Sequence, residues 1–297
     1  MTSDRLRNTL SALLNRRESG SRPKRLAIAA TLDTPVGELK SLVDLLRETE
    51  RYELHIVGPD ETINALDQHA TLHPAYLPDE IDRALGNLLT SGGVDLGLLL
   101  ADPRRPEPSA VARMTPAFGN RTLTGISLLH TEKLDRITLL ADTLVADRPD
   151  EDGLTAVTEQ AIKTARKLGI ETPRVALLAA VEVANPGLPA TMLEQAVAQR
   201  FAERDDCHVH GPLSMDLAVS KSAVEKKKAT GEVPGKADVL VGPTLTVSRG
   251  VLHAFQHGCG ESAVTVLTGG QLPVAVAQRG LPIATQLLAV QFAELLV

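Results

Sequence analysis

The turn at Gly211-Pro212 has the composition of a ligand-binding edge. A short strand over Cys207 to His210 meets a glycine that lets backbone approach a ligand closely. The helix expected after it, running to Lys228, offers free amides that suit an anion. Asp216 falls in the first turns of that helix, where a carboxylate also simply favours the positive end of the helix dipole. Gly231-Glu-Val-Pro-Gly235-Lys236 looks superficially like a phosphate loop, but three residues separate its glycines instead of four. Ala237 stands where Ser or Thr would hold magnesium. His208 and His210 alternate along a strand, and His253 and His257 share a helical face near Cys259. Such a set has the ligand types for zinc, but its spacing matches no established pattern, so ordinary hydrogen-bonded histidines and no metal are expected. No Gly-x-Gly-x-x-Gly follows the first strand and Gly-x-Ser-x-Gly is missing, which argues against a dinucleotide fold fingerprint and a hydrolase elbow.

The elements that must position these residues alternate between strand and helix. Arg25–Ala30, Glu53–Val57 and Val94–Leu100 read as strands, the last a continuous apolar run of the kind buried on both faces of a parallel sheet. Gly125–His130 and Ile137–Asp142 follow, then Val175–Val183, Asp238–Val241, Ala263–Leu267 and Pro273–Ala277. Helices are expected over Val36–Glu50, 154–168 with Gly169 just past the end, 189–204, 245–257 and 282–296. The pattern is α/β. Asp147 to Gly153 is the best polar boundary, giving a first domain of residues 1–145 plus 270–297 and a second of 146–269. Leu6, Leu10, Leu13 and Leu14 share one face of a basic N-terminal helix, about residues 1–20, read as docking onto the body.

Composition narrows the function classes. The 297 residues carry a formal charge of −6, so no general attraction to nucleic acid is built in. Aromatic residues are 2%: four Phe, two Tyr and no Trp. So few rings cannot supply stacking platforms for nucleic acid or a membrane belt, and an adenine ring would have to rest on aliphatic side chains, backbone or an arginine plane. Two cysteines, Cys207 and Cys259, make no disulfide framework, and no apolar run reaches the roughly 18–20 residues of a span. A cytoplasmic protein that binds neither membrane nor nucleic acid is expected.

Four blocks together carry a resemblance. Val175 to Ala190 resembles the segment of phosphate acetyl- and butyryltransferases in which a strand ends in Glu-x-x-Asn-Pro, here Glu182 to Pro186. Gly211-Pro-Leu-Ser-Met-Asp216-Leu-Ala-Val is similar to their Asp-Gly-Pro-Leu-x-x-Asp-x-Ala-Val. Pro234-Gly-Lys-Ala-Asp-Val-Leu240 is similar to Ala-Gly-Lys-Ala-Asp-Ile-Leu, and Gln278-Arg279-Gly280 sits where the family has Ser-Arg-Gly or Ser-Arg-Ala. Order and spacing agree over about residues 135–297; the first part resembles the family mainly through element order and Arg113.

The resemblance implies a two-domain fold of the isocitrate and isopropylmalate dehydrogenase type with an inter-domain cleft, and a homodimer. It implies acyl-CoA plus phosphate giving acyl phosphate plus CoA, with CoA a substrate and no tightly bound cofactor. Arg279 and Gln278 become the catalytic pair, for phosphate and the thioester carbonyl. Arg113, Asn185, Gly211, Pro212 and Asp216 become substrate-binding residues. Differences from the family accompany these matches. Gln278 replaces its serine, His210 the Asp of Asp-Gly-Pro, and Thr244-Leu-Thr-Val-Ser248-Arg249 its Asp-x-x-x-Gly-Asn stretch. Leu99-Leu100 replaces its early Lys-Gly, and Ala284 or Thr285 a late acidic residue. A non-catalytic binding or regulatory member is therefore the alternative expectation. A dehydrogenase is disfavoured, because no cluster of aspartates for magnesium lies near a nucleotide loop.

Overall fold

The structure, a computed structural model, describes residues 2–16, 22–31, 33–64, 66, 70–101, 106–130, 136–147, 149–278 and 281–297. Along the chain, α1 (Thr2–Asn15) precedes β1 (Lys24–Ala29), α2 (Val36–Glu48), β2 (Tyr52–Gly58), α3 (Asp60–Asn64), β3 (Thr71–Pro74), α4 (Pro78–Ser91), β4 (Leu96–Ala101) and α5 (Glu107–Met114). Next come β5 (Thr124–His130), β6 (Thr138–Ala141), α6 (Glu151–Lys167), β7 (Arg174–Leu178), α7 (Pro189–Arg200) and β8 (His208–Leu213). Two short helices, α8 (Met215–Val219) and α9 (Lys221–Lys227), lead to β9 (Val239–Val241) and α10 (Leu245–His253). The chain closes with β10 (Ser262–Thr268), β11 (Val274–Gln278) and α11 (Ile283–Glu294). It divides into one unit of Ser3–Leu123 with Val264–Val297 and a second of Thr124–Ala263.

In the first unit the strand order is β3-β2-β1-β4-β11-β10, parallel from β3 to β11, with β10 antiparallel to β11. Leu26 to Ala29 and Leu96 to Ala101 are buried throughout, which is why their sequence reads as unbroken apolar runs. The first chain reversal sits between β1 and β4, because β1 leads to β2 on one side and pairs β4 on the other. α1 buries Leu6, Leu10 and Leu14, the expected stripe, while Leu13 lies at its edge. The Glu294 carboxylate of α11 accepts from the Tyr52 hydroxyl at 2.5 Å and from Arg51 Nη2 at 2.6 Å, tying the last helix to β2. His55 on β2 and His73 on β3 share one hydrogen bond, Nδ1 to Nε2 at 3.1 Å. Burial lowers the pKa of both rings.

In the second unit the order is β5-β6-β9-β7-β8, with β5 antiparallel to β6 and the others parallel. Leu154, Val157, Ala161, Ile162 and Ala165 form the buried face of α6, Asp150 caps its start by accepting from Gly153 N at 2.8 Å, and Gly169 takes φ +91° beyond its end. On the opposite face Leu140, Ala176, Leu178, Leu213, Leu217 and Leu240 pack together, with Phe255 against them.

Three expectations change. β7 ends at Leu178, not Val183: Ala179 N still bonds to Leu213 O, but the segment then leaves the sheet and Val183 is 74% exposed. The helix expected to run to Lys228 is two helices, because Ser220 is extended (φ −108°, ψ 114°) and caps α9 by accepting from Ala223 N. β8 runs His208–Leu213, so Gly211-Pro212 lies within the strand and not in a turn after His210; the stretch between β2 and β4, with no expectation attached, holds α3, β3 and α4.

Candidate functional site

Open α/β sheets bind ligands beyond the carboxyl ends of their parallel strands. In the second unit that edge is made by the residues that follow β6, β9, β7 and β8. After β6, the Asp142 carboxylate is buried and accepts from Gly125 N (2.8 Å), Leu144 N (2.8 Å), Ala146 N (2.7 Å) and Val145 N (3.2 Å). Burial lifts its pKa above the usual value, and the four amides pull it back. Those amides have no other acceptor of this quality, so Asp142→Ala should cost roughly 3 kcal/mol or more of unfolding free energy. Urea denaturation at neutral pH checks this; a midpoint equal to that of the parent would show that the loop repairs itself.

After β7, Asn185 builds its own turn. Its Oδ1 accepts from Gly187 N at 2.8 Å, and its amide N–H donates to the Thr191 hydroxyl on α7 at 2.8 Å. Glu182, three residues before Asn185, accepts from the Ser214 hydroxyl and, at 2.6 Å, from the Lys227 ammonium. Ser214 Oγ also lies 2.6 Å from Asp216 Oδ1, and Lys227 Nζ lies 3.1 Å from Asp216 Oδ2. The two hydrogen-bonding partners hold Glu182 and Asp216 below the usual carboxylate range: Lys227 leads for Glu182 and Ser214 for Asp216. Gly211, on the same strand end, has no room for a side chain, because a Cβ there would lie 2.6 Å from Leu177 Cβ. Thus Asn185, Gly211, Pro212 and Asp216 are carried on one edge, and Glu182, Ser214 and Lys227 join them.

The loop resembling a phosphate cradle does a different job. Gly235 N donates to Leu217 O (2.6 Å), Lys236 N to Val233 O and Ala237 N to Ala218 O, so its amides are spent inside the fold. Arg136 donates to Gly235 O and Ala237 O from the other side. His210 faces this loop, 3.9 Å from where a Gly231 Cβ would stand, and burial lowers its pKa. His253 and His257 meet edge to face with centroids 5.9 Å apart, and Arg249 Nη2 lies 3.5 Å from His253 Nε2.

The remaining expected site residues belong to the first unit. Arg113 Nε donates to the fully buried Asp82 at 2.8 Å and lies 3.1 Å from Asp79. Its Nη2 is buried without a partner among the described residues. Gln278 is the last residue of β11 and pairs with Ala101 of β4 at the carboxyl end of the parallel strands. Its side chain, and all of Arg279 and Gly280, lie outside the described residues. Of the residues missed in the sequence, Glu182 was legible as the first letter of Glu-x-x-Asn-Pro. Lys227 had only a run of three lysines to mark it, and Ser214 had no signal of its own.

Comparison with known proteins bears on the family and the fold. Residues 109–290 match the family described as "Phosphate acetyl/butaryl transferase". The chain is 30% identical over 245 residues to a protein of Bacillus subtilis (strain 168) described as a probable phosphate butyryltransferase, covering 82% of this chain and 77% of that one. It is 32% identical over 162 residues to the phosphate butyryltransferase of Clostridium acetobutylicum, an alignment that spans about half of each protein, 54%. A solved branched-chain phosphotransacylase from Enterococcus faecalis V583 superposes with a TM-score of 0.78 at 23% identity, covering 92% of this chain and 98% of that one. The fold is of the dehydrogenase-like α/β type shared by these transacylases. With a matching family model over more than half its length and the family's motifs seated at the strand ends, this chain belongs to the phosphate acetyl/butyryltransferase family.

Proposed function

We propose that this chain transfers a short acyl group between CoA and phosphate, acyl-CoA plus phosphate giving acyl phosphate plus CoA. The observation that carries the reading is the Gly211–Asp216 stretch, which spans the end of β8 and the start of α8 and is tied through Glu182 to the segment of Asn185, in the family's order and spacing. The chemistry needs few parts. Phosphate, whose second ionisation falls at roughly 6–7 by analogy with phosphomonoesters, carries a substantial dianionic fraction at neutral pH and is already nucleophilic. One of its oxygens attacks the thioester carbonyl, the C–S bond breaks, and the electron pair leaves with the CoA thiolate. Arg279 holds the phosphate through its planar donor fork, and Gln278 donates to the carbonyl oxygen as charge develops there. The unpartnered Nη2 of Arg113 is a buried donor of the kind an anionic oxygen satisfies. On this reading CoA is a substrate and no cofactor is held tightly. The protein works in the cytoplasm as a homodimer on small molecules.

A second reading, binding without turnover, is favoured by one observation. Among the described residues the cluster at the ends of β7 and β8 sets two carboxylates, Glu182 and Asp216, against the single ammonium of Lys227, a local balance that does not by itself attract phosphate. A thiol-release assay with acetyl-, propionyl- and butyryl-CoA, with and without phosphate, separates the two. Phosphate-dependent release supports transfer. CoA binding by calorimetry with no release, at protein levels where a known transferase gives full turnover, supports the second reading.

A further inference from the structure

Lys227 reaches across three segments of the chain. Its Nζ lies 2.6 Å from Glu182 Oε1, 3.1 Å and 3.4 Å from the two Asp216 oxygens, and 3.5 Å from Ser214 Oγ. Glu182 comes from the irregular stretch after β7, Ser214 from the N-cap of α8, Asp216 from the first turn of α8, and Lys227 is the last residue of α9. The Ser214 hydroxyl touches both carboxylates but has a single proton, so it can donate to one of them at a time. The other short oxygen–oxygen approach is repulsive unless a positive charge stands beside it, and Lys227 is the cation there.

We propose that Lys227 is a positioning residue of the transfer site: its ammonium lets Glu182 and Asp216 share the Ser214 hydroxyl, and thereby holds the segment carrying Asn185 against the end of β8 and the start of α8, which carry Gly211, Pro212 and Asp216. The inference rests on the reading of this edge as the place where substrate binds. Its physical content is a charge balance. With Lys227 in place the trio of ionised groups carries −1; without it the two carboxylates face one another at −2 across a single hydroxyl. Relief then comes from taking up a proton or from moving the Glu182 segment away. That segment makes few backbone bonds of its own. Ala179 N to Leu213 O and Leu188 N to Asn185 O bracket it, and Val183 at its crest stands in solvent. Glu182 is therefore a principal tie between the crest and the body. The partial exposure of all three charged side chains limits what the pair adds to global stability, so its effect is local geometry.

Three variants of the full chain test this: Lys227→Met, Lys227→Arg, and Lys227→Met combined with Glu182→Gln. Amide hydrogen exchange is followed in peptides covering residues 179–188, and phosphate-dependent CoA release is measured from about pH 5 to about pH 8, spanning the range where a repelled carboxylate takes up its proton. Lys227→Met should exchange faster in 179–188 alone and lose about tenfold in kcat/KM near neutral pH, the scale of a small displacement of bound reactants. Both effects should shrink as pH falls, and Glu182→Gln in the same chain should largely reverse both at neutral pH, because one carboxylate is then neutral. Lys227→Arg should keep most of the rate. Unchanged exchange in Lys227→Met, or a double variant no better than the single one, overturns the proposal. If no chain releases CoA, the transfer reading fails instead, and the exchange pattern still decides what Lys227 holds.

Discussion

An Arg279→Ala chain is expected to keep the thermal midpoint of the parent and to lose on the order of 10²–10³ in phosphate-dependent CoA release. The reason lies in the proposed transfer and in the strand that precedes this residue in sequence. β11 is an interior strand of the first unit, parallel to β4, and ends at Gln278 on the carboxyl edge where such sheets receive ligands. Phosphate and thioester must meet within van der Waals distance while negative charge moves from one to the other. A guanidinium binds two phosphate oxygens at once, fixing orientation as well as supplying charge. Arg279→Lys keeps the charge and loses the fork, so its rate should fall between the two. Steady-state kinetics with varied phosphate reads the difference: the alanine chain should lose kcat as well as affinity for phosphate. A rate equal to that of the parent removes Arg279 from the reaction and shifts the role to Arg113.

Glu194→Leu is expected to make the protein more stable than the parent near pH 8 and to lose that advantage near pH 5. Glu194 lies on the buried face of α7, fully enclosed, with neither carboxyl oxygen partnered among the described residues. Burial without a counter-charge pushes its pKa up to about 8 from an ordinary value of 4.5. Between those values the folded chain keeps a proton that the unfolded chain releases. The stabilising contribution of this proton is therefore full below the unfolded value and falls away as pH rises toward the folded one. The loss amounts to as much as about 4 kcal/mol across that window. The His55–His73 pair works in the opposite sense. Its lowered pKa values mean that stability rises with pH through the ordinary histidine range, so the total curve of the parent conceals part of the Glu194 slope. Subtracting the urea midpoints of Glu194→Leu from those of the parent at each pH isolates the carboxyl. A difference that does not change between about pH 5 and about pH 8 would mean that Glu194 ionises at its ordinary value.

The elements legible in the sequence are those whose burial follows a period. Leu154, Val157, Ala161, Ile162 and Ala165 of α6, and Leu6, Leu10 and Leu14 of α1, repeat at helical spacing because one face alone is covered. Leu26–Ala29 of β1 and all of β4 are recognisable because both faces are covered and no polar residue interrupts them. Where a polar residue is satisfied by a distant partner, the pattern misleads. Asp82 breaks the apolar face of α4, yet it is fully buried because Arg113 reaches it from α5. Ala179 to Val181 continues the apolar composition of β7, yet the chain leaves the sheet there, and Glu182 just beyond is the one local break in the run.

The site divides in the same way. The motifs around Asn185, Gly211-Pro212, Asp216 and Gln278-Arg279 are local strings, and their order along the chain carries the family and the α/β class by itself, because each must sit at a strand end with its own turn chemistry. The grouping of Glu182, Ser214, Asp216 and Lys227 belongs to the tertiary structure alone. Residue 227 stands 45 positions from residue 182, and only the parallel pairing of β7 with β8 brings the ends of those strands to one edge. The same holds for Glu194, whose solitary burial is a property of the packed interior and not of its neighbours in sequence. Turn chemistry and hydrophobic period act over a few residues and can be read from a string; charge balance and desolvation depend on distance through space, which the folded chain sets.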